Sequence, residues 1–582
     1  MAWFQDHPHY LQDEENALMK EGFTYTIDEA ARSEGRLIIT IIYPIGSENH
    51  DLTCHYHAAY PFFAPKVIAP TLPSGRHIDP YSHGLCLFED EQSVWNTHDT
   101  LAKVLKEQIP KVLKEHEYAE NISKIEGAEG YQITGQIPYE PVSVIFTGDW
   151  VIPEEVNSGE ICIKVTKNSN SGTPVLGFVD SFNAGKTPPQ SSSTPFLEDF
   201  FPSKLQCKWV KLDGPPKSIK GDDVLNEAKK INPAIKNAHF QKKDFDIVGL
   251  VFQEDASKNK KVLNWIFVIR RKIKLNKIQK SNGQKHYVTE IIRSDRYTIE
   301  NIQQRVPRLR FIADKSVLVI GAGALGSNVI WQLARAGITS ITFVDFDFVQ
   351  AGNIPRWLLG FSAIGKLKTE ALKSHLLVNF PNIQCTSYNF HIGAPQNITL
   401  EDGSIIDTHE FLMGIIKNSD LVIDCTAETN VNNYLSTFSN INNTPYIWAT
   451  ATQGGWGGIV GRVVPQSTEG DWIDFTYLNK LGEIPIPAAE EGSDIQPVGC
   501  FHPTFTGTGF DLDHVSLMAT RLSIATLCQG SNEGYPDFDW DVGILHLWDK
   551  QTGNPITPHW ETNKLHKYTG SRNADFTNTL DQ

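Results

Sequence analysis

One motif constrains this chain more than any other: an apolar run leads directly into a glycine-rich turn and then into a helical pattern. The run is Val317–Ile320, and Gly321, Gly323 and Gly326 follow it in the sequence Gly-Ala-Gly-Ala-Leu-Gly. Such glycines permit a tight turn, a close approach of phosphate to the backbone, and close packing of helix on strand. Unpaired N–H groups at the start of the helix favour an anion. The motif predicts a nucleotide site, but a dehydrogenase would share it.

From about residue 300 onward, short apolar runs alternate with helical patterns. The runs SVLVIG, SITFVD, LVIDCTA and YIWAT have the composition of buried strands. This alternation predicts an α/β fold with a doubly wound parallel sheet. Asp345 ends the second run, where an acidic side chain can bind ribose hydroxyls.

Polar and cationic residues cluster just beyond that second strand. They are Asp347, Asn353, Arg356, Lys366 and Lys368. Hydride transfer needs no such cluster. Attack of a carboxylate on an α-phosphate does need one, because charge builds on phosphoryl oxygens and must be neutralised. The cluster therefore favours adenylation over dehydrogenation.

In the motifs GAGALGS, VDFDFVQAGNIPR and IGKLK the chain resembles ubiquitin-activating enzymes and their ThiF-like bacterial relatives in thiamin and molybdopterin biosynthesis. The resemblance covers about residues 300 to 530 and implies ATP and Mg²⁺ as cofactors. It implies that Asp345 binds the ribose and that Asn353 and Arg356 contact the phosphates. It also implies that Lys368, or less favourably Lys366, stabilises the transferred adenylyl group.

The resemblance leaves the metal ligand and one arginine open. The family usually continues with Asp-Cys-Thr-Asp-Asn, whose second Asp holds magnesium. Here the run reads Asp-Cys-Thr-Ala-Glu-Thr-Asn, so either Glu428 or Asp424 is expected to hold the metal. The family also sends an arginine from before the sheet into the site, and Arg305 is favoured over Arg296.

Cys500 is the first candidate nucleophile. It lies in a stretch rich in Gly, Thr and Pro, which predicts a loop. A thiolate there can attack an acyl adenylate and release AMP, forming a thioester, and His502 or His514 could lower the thiol pKa. Cys425, inside an apolar strand, and Cys528, in a helical run, are instead expected to be small buried hydrophobes.

Cys86 is the second candidate nucleophile. The run YPFFAPKV, then His77, Cys86 and Trp95, resembles ubiquitin-conjugating enzymes, in which a His-Pro-Asn motif precedes the catalytic cysteine. The resemblance implies that Cys86 carries an acyl group. Asp79 stands in place of the family's Asn, so it is expected to be structural, protonated, or a base for the incoming amine, and His83 is an alternative helper.

The length of 582 residues predicts about three domains, since single cores rarely exceed ~300 residues. The expected division is an N-terminal α+β ubiquitin-conjugating-like domain (1–120), a mixed connecting domain (121–300) and a C-terminal α/β Rossmann-like adenylating domain (301–582). In the first domain, Pro110 is expected to kink or divide a helical run that begins at Leu101.

Net charge and hydropathy limit the classes of partner that the chain is expected to bind. The net charge of −16 argues against a nucleic-acid partner. The most basic stretch, Lys260 to Leu275, is expected to be an exposed strand with a basic face. No run approaches the ~20 apolar residues of a membrane span, and the N-terminus has no signal-peptide pattern, so no membrane partner and a cytoplasmic location are expected.

These motifs together predict a relay. The C-terminal carboxylate of a protein modifier is adenylated, passes to Cys500, then to Cys86, and finally to a lysine or other amine of a target. Tethering both thiols in one chain raises their effective concentration. The arrangement resembles bacterial fusions of activating and conjugating domains in anti-phage CBASS operons, which implies a CD-NTase nucleotidyltransferase as modifier and a homodimer formed through the adenylating domain.

Two other functions stay open. The chain could only adenylate or sulfurylate a small carrier protein, with residues 1–120 as a docking module. It could also be a nicotinamide-dependent oxidoreductase.

Overall fold

The structure is a computed structural model and describes most of the chain in two compact units. The first comprises Met1–Phe146, Trp150–Ser191 and Phe201–Asp295, and the second continues from Arg296. The described residues are 2–72, 77–79, 82–87, 95–117, 143–146, 150–166, 175–184, 190–191, 201–216, 218–241, 243–257, 260–273, 287–298, 303–399, 403–492, 494–495 and 504–570. No helix within these ranges has both the length and the apolar character to cross a bilayer.

The N-terminal part of the first unit is an α+β arrangement with its own core. Its helices are α1 Trp3–Asp6, α2 Pro8–Lys20, α3 Glu29–Ser33, α4 Leu101–Glu107 and α5 Ile109–Glu117, and its strands are β1 Thr24–Ile27, β2 Ile38–Ile45, β3 Glu48–His55 and β4 Lys66–Ile68. The strands form an antiparallel meander in chain order. The predicted division of the last helix at Pro110 is confirmed, because α5 begins just before this proline, where its missing N–H is tolerated.

The rest of the first unit is a mixed sheet of eight strands. They are β5 Ser143–Phe146, β6 Ser158–Val165, β7 Val175–Asn183, β8 Gln190–Ser191, β9 Ser203–Lys211, β10 Phe245–Ser257, β11 Lys260–Lys272 and β12 Tyr287–Arg296. Their order is β5-β12-β11-β10-β9-β6-β7-β8. A helix, α6 Gly221–Ile231, and a 3₁₀ turn, Pro233–Ile235, pack on one face. Aliphatic and aromatic residues form a separate core on the other face.

The strand predicted within Lys260 to Leu275 is confirmed over Lys260–Lys272, but its expected exposure is wrong. Strand β11 lies between β10 and β12, and its residues from Trp265 to Arg270 are buried. Arg270 is only 2% exposed and pairs with Asp246, which lies directly opposite on β10. The charge is tolerated inside because its counter-charge sits in register on the neighbouring strand.

The second unit contains a second sheet of eight strands with helices on both faces. The helices are α7 Ala324–Ala336, α8 Lys368–Asn379, α9 Thr408–Lys417, α10 Thr429–Ile441, α11 Trp472–Lys480 and α12 Gly509–Leu527. The sheet strands are β13 Ser316–Ile320, β14 Ser340–Val344, β15 Gln384–Tyr388, β18 Leu421–Asp424, β19 Tyr446–Ala451, β20 Gly457–Val463, β23 Val542–Trp548 and β24 Pro555–Asn563. Two small hairpins are β16 Asn397–Thr399 with β17 Ile405–Asp407, and β21 Asp494–Ile495 with β22 Thr504–Phe505.

The predicted doubly wound parallel sheet is confirmed for five strands and wrong for three. The order is β15-β14-β13-β18-β19-β20-β23-β24, and the first five strands run parallel. Strands β20, β23 and β24 are antiparallel. Only residues 452–456 join β19 to β20, and so short a connection makes a hairpin, since a parallel neighbour needs a crossover.

Candidate active site

The candidate site lies at the carboxyl edge of the parallel strands. Strand β13 is flanked by β14 on one side and β18 on the other, with Ile320 opposite both Val344 and Asp424. The strand order reverses at this point, and ligands of open α/β sheets bind in the crevice formed there. The glycine turn, the Asp345 segment and the Cys425 segment leave the sheet side by side.

The three glycines of the turn differ in their surroundings. Gly321 has φ +83°, a conformation that disfavours other residues. A Cβ at Gly326 would overlap the carbonyl oxygen of Gly321 and lie 3.2 Å from Cβ of Cys425, so helix α7 packs close to the sheet only with glycine there. A Cβ at Gly323 would meet no atom within 4 Å. The turn is therefore tight on one side and open on the other, as a phosphate cradle requires.

Asp345 ties the glycine turn to the segment that follows β14. Its Oδ2 accepts a hydrogen bond from the Ala322 N–H at 2.7 Å, and its Oδ1 accepts one from the Asp347 N–H at 2.8 Å. Each carboxylate oxygen already accepts a hydrogen bond from a backbone N–H, and each keeps a second lone pair for a further donor. The side chain is half-buried at the edge where a ribose would lie.

The structure separates the two candidate lysines. Lys368 begins helix α8, is 8% exposed, and donates from Nζ to Asp347 Oδ2 at 2.8 Å. Lys366 is exposed, and its carbonyl oxygen accepts from the Val349 N–H at 2.8 Å. Only Lys368 is held by a carboxylate of the Asp345–Asp347 segment.

Asn353 and Arg356 lie in the connection between β14 and α8. Asn353 ends a 3₁₀ turn and accepts from the Gln350 N–H at 2.9 Å, which shapes the turn. Arg356 is half-buried, and burial lowers the pKa of its guanidinium. A partly dehydrated cation interacts more strongly with an incoming phosphate than an exposed one does.

Trp357 is a site residue that the sequence interpretation missed. Its indole N–H donates to the Ala322 carbonyl oxygen at 2.7 Å, and the ring is buried in a small cluster with Val349, Ala363 and Ala371. A bulky aromatic residue directly after Arg356 was the available signal, but an aromatic residue in a loop does not reveal its partner.

The two metal candidates differ sharply in their surroundings. Asp424 is fully buried and accepts from Thr426 N–H and Oγ1, from Asn432 Nδ2 at 2.7 Å and from Tyr446 OH at 3.1 Å. Burial raises the pKa of this carboxyl. Glu428 is exposed at the start of α10, after Ala427 at φ +60°. Of the two carboxylates, Glu428 is therefore the one that is exposed to an incoming ion.

Within the described ranges, no group of three or more His, Cys, Asp or Glu side chains is arranged to hold a metal ion. A site with one carboxylate fits Mg²⁺, because this ion keeps several waters and is usually bound through one or two carboxylates plus substrate phosphates.

Cys500 and His502 lie outside the described residues, but the chain on either side of them is described. Strands β21 and β22 pair Asp494 with Phe505 and Ile495 with Thr504, so the segment that carries Cys500 leaves and returns at one place. The returning chain enters α12 at Gly509, where a Cβ would lie 3.0 Å from the Pro355 carbonyl oxygen.

The remaining candidates in this unit have less distinctive positions. His514 is exposed on α12, Arg305 is exposed ahead of β13, and Arg296 ends β12. The predicted burial of Cys425 and Cys528 is confirmed, and burial raises the pKa of the Cys425 thiol.

In the first unit, the Cys86 side chain is exposed and its N–H donates to the His77 carbonyl oxygen at 2.8 Å. Asp79 Oδ1 accepts from Ser82 N–H at 2.6 Å and from Ser82 Oγ at 2.7 Å. These bonds give Asp79 a structural role in the turn before the cysteine. His83 donates from Nδ1 to the Leu72 carbonyl oxygen at 3.2 Å.

Comparisons with known proteins place this site in a family. The ThiF family model matches residues 298–502. The uncharacterized protein y4oA of Sinorhizobium fredii (strain NBRC 101917 / NGR234) is 27% identical over 97% of this chain and 96% of its own length. The ATP-dependent ubiquitin transferase-like protein Cap2 of Enterobacter hormaechei subsp. hoffmannii (strain UCI 50) is 25% identical over 40% of this chain and 36% of its own.

The molybdopterin-synthase adenylyltransferase of Escherichia coli (strain K12) is 33% identical over 22% of this chain and 45% of its own length. The chain thus spans less than half of this relative and of Cap2. The glycine turn and the Asp345–Lys368 segment both lie within the matched region. This chain therefore carries, over residues 298–502, a ThiF-family domain of the adenylating type.

Proposed function

We propose that this enzyme adenylates the C-terminal carboxylate of a protein modifier with ATP and Mg²⁺, and then relays the acyl group through two thiols to an amine. The single observation that carries the proposal is the arrangement at the sheet edge. The buried Lys368 is linked through Asp347 and Asp345 to an open glycine turn in a ThiF-family domain, and the half-buried Arg356 directly precedes Trp357, whose indole binds the same turn.

In the first step, a carboxylate oxygen of the modifier attacks the α-phosphorus of ATP, and pyrophosphate leaves. Lys368 and Arg356 supply positive charge where the phosphoryl oxygens gain negative charge, and the glycine turn supplies backbone N–H groups. Asp345 would hold the ribose. Glu428 would hold Mg²⁺, which neutralises charge on the phosphates when bound.

In the second step, the Cys500 thiolate attacks the acyl carbon of the adenylate, and AMP leaves. Strands β21 and β22, which flank the segment that carries Cys500, pair with each other, and the start of α12 at Gly509 packs against Pro355, next to Arg356. This arrangement supports Cys500 as the first thiol.

In the third step, the Cys86 thiolate attacks the thioester and Cys500 leaves as thiolate. An amine of the target then attacks the new thioester, and Cys86 leaves. The exposure of Cys86 and the hydrogen bonds from Ser82 to Asp79 support this role. The similarity to Cap2, named as a ubiquitin transferase-like protein, supports a conjugating step.

By the resemblance to CBASS fusions, the modifier is a CD-NTase, and the enzyme acts in the cytoplasm as a homodimer.

The test follows the acyl group from thiol to thiol. The full chain is incubated with ATP, Mg²⁺ and a candidate CD-NTase, and adducts are separated with and without reductant. Cys500→Ser should trap the acyl group as an oxygen ester at position 500 and abolish conjugate formation. Cys86→Ser should leave thioester formation at Cys500 intact and abolish conjugate formation. Cys385→Ser, a change at a half-buried thiol, is the matched control and should leave product formation unchanged.

Two results would contradict the relay. If Cys500→Ser formed product at the wild-type rate, the first thiol would be wrong. If Cys86→Ser did so, Cys86 would carry no acyl group, and the N-terminal part would act as a docking module. Carboxylate-dependent exchange of pyrophosphate into ATP, without NAD binding, would exclude an oxidoreductase.

A further inference from the structure

The backbone of Ala322, inside the glycine turn, is held by hydrogen bonds through both its N–H and its carbonyl oxygen. Its N–H donates to Asp345 Oδ2 at 2.7 Å, and its carbonyl oxygen accepts from Trp357 Nε1 at 2.7 Å. Glycines give the chain at this turn many accessible conformations, so a fixed geometry needs restraints from outside the turn. Asp345 and Trp357 are two such restraints.

Trp357 connects the turn to the cation that follows β14. It is the next residue after Arg356, is 5% exposed, and packs with Val349, Ala363 and Ala371. On the other side of the connection, a Cβ at Gly509 would lie 3.4 Å from the Arg356 Cα. The Arg356 backbone is therefore confined between the buried indole and the start of α12.

We infer that Trp357 is a positioning residue for adenylation: its indole hydrogen bond fixes the position of the adjacent Arg356 backbone relative to the glycine turn. The inference rests on the proposed function. Transition-state charge is stabilised only by groups already in place, and a displacement of about 1 Å can cost ~100-fold in rate. Trp357 acts through Arg356 and the turn, not on the nucleotide itself.

A purely structural role for Trp357 would give a different result. A buried tryptophan fills space, and its loss lowers stability wherever it lies. Trp448 offers a matched comparison, because it is 1% exposed in the same unit and its Nε1 has no acceptor among the described residues. Replacement by phenylalanine removes an indole from the core in both cases, but breaks a bond to the glycine turn only at Trp357.

The experiment measures pyrophosphate exchange into ATP at saturating ATP, together with melting temperature, for the full chain. Trp357→Phe should lower kcat by about 10-fold or more, whereas Trp448→Phe should stay within about 2-fold at a temperature where both are folded. In an Arg356→Ala background, Trp357→Phe should have little further effect on kcat, since residues that act as a unit are not additive.

Two outcomes would overturn the inference. One is an equal loss of kcat in both phenylalanine variants. The other is a full additional loss in the Arg356→Ala background, which would mean that Trp357 does not act through Arg356. If the wild-type chain showed no exchange with any carboxylate substrate, the proposed function would fail instead, and the two failures are thereby distinguished.

Discussion

Lys368 donates a hydrogen bond to Asp347 over 2.8 Å although it is the first residue of helix α8. A cation at a helix N-terminus is disfavoured by the helix dipole, and burial of the side chain adds a desolvation cost. Asp347 offsets both. The pair thus keeps a buried positive charge beside the glycine turn, at a place where the helix alone would not favour one.

Lys368→Met should therefore lower the rate of pyrophosphate exchange by about 100-fold or more, as loss of one transition-state donor does. Lys366→Met, two positions earlier in an exposed stretch, should change it by less than about 3-fold, since exposed charges contribute little. A large loss in the Lys366 variant with a mild one in the Lys368 variant would reverse the assignment.

The glycine turn gives a second matched pair. Gly323→Ala meets no atom within 4 Å, so the melting temperature should change little, while ATP binding should weaken because the methyl group occupies the space left for phosphate. Gly326→Ala overlaps the Gly321 carbonyl oxygen, so it should lower the melting temperature strongly. Calorimetric titration with ATP and thermal unfolding check this pair. Unchanged ATP affinity in folded Gly323→Ala would argue against phosphate binding at the turn.

The carboxylates at 424 and 428 should respond to amide substitution in different ways. Asp424→Asn replaces an acceptor oxygen by an NH₂ group, which would face the hydrogen-bond donors that now bind the carboxylate in this buried site. The substitution should therefore destabilise the fold by ~1–3 kcal/mol. Glu428→Gln is exposed and should leave stability unchanged while raising the Mg²⁺ concentration needed for half-maximal exchange. An unchanged Mg²⁺ requirement in Glu428→Gln would remove this residue as the metal ligand.

Glu14 predicts a pH dependence in the N-terminal part. From α2 its carboxylate accepts from the Leu101 N–H at 2.9 Å, at the start of α4, and from Tyr60 OH. Burial outweighs these bonds and raises the pKa of Glu14 from 4.5 to about 7. The folded state therefore holds a proton that the unfolded state has released, so this contribution to stability is complete below pH 4.5 and is lost as pH rises through about 7.

Hydrogen exchange of the α4 amides in the full chain measures this effect. Protection should fall between pH 4.5 and about 7, beyond the intrinsic pH dependence of exchange. Glu14→Gln should flatten that fall, because it keeps an acceptor oxygen without a titrating group. An identical pH dependence in wild type and variant would show that Glu14 does not titrate in this range.

The adenylating half was predictable because its signals are local. The glycine turn, Asp345 and the polar run up to Lys368 lie in one stretch of chain, and the alternation of strands and helices predicted four of the five parallel strands, all but β15. The three antiparallel strands were not predicted. An apolar run has the same pattern whether its neighbour is parallel or antiparallel, and the length of the connection decides between them.

The sequence by itself determined the chemistry available to this protein: a nucleotide turn, a set of cations and carboxylates, and two candidate thiols in different parts of the chain. Tertiary structure decided which side chains meet. It paired Lys368 rather than Lys366 with Asp347, closed Asp424 inside a hydrogen-bond network, and buried Arg270 opposite Asp246. The physical reason is that burial and pairing depend on residues that are distant in sequence. Trp357 and the Ala322 carbonyl oxygen are an example, because no local sequence pattern specifies that they form a hydrogen bond.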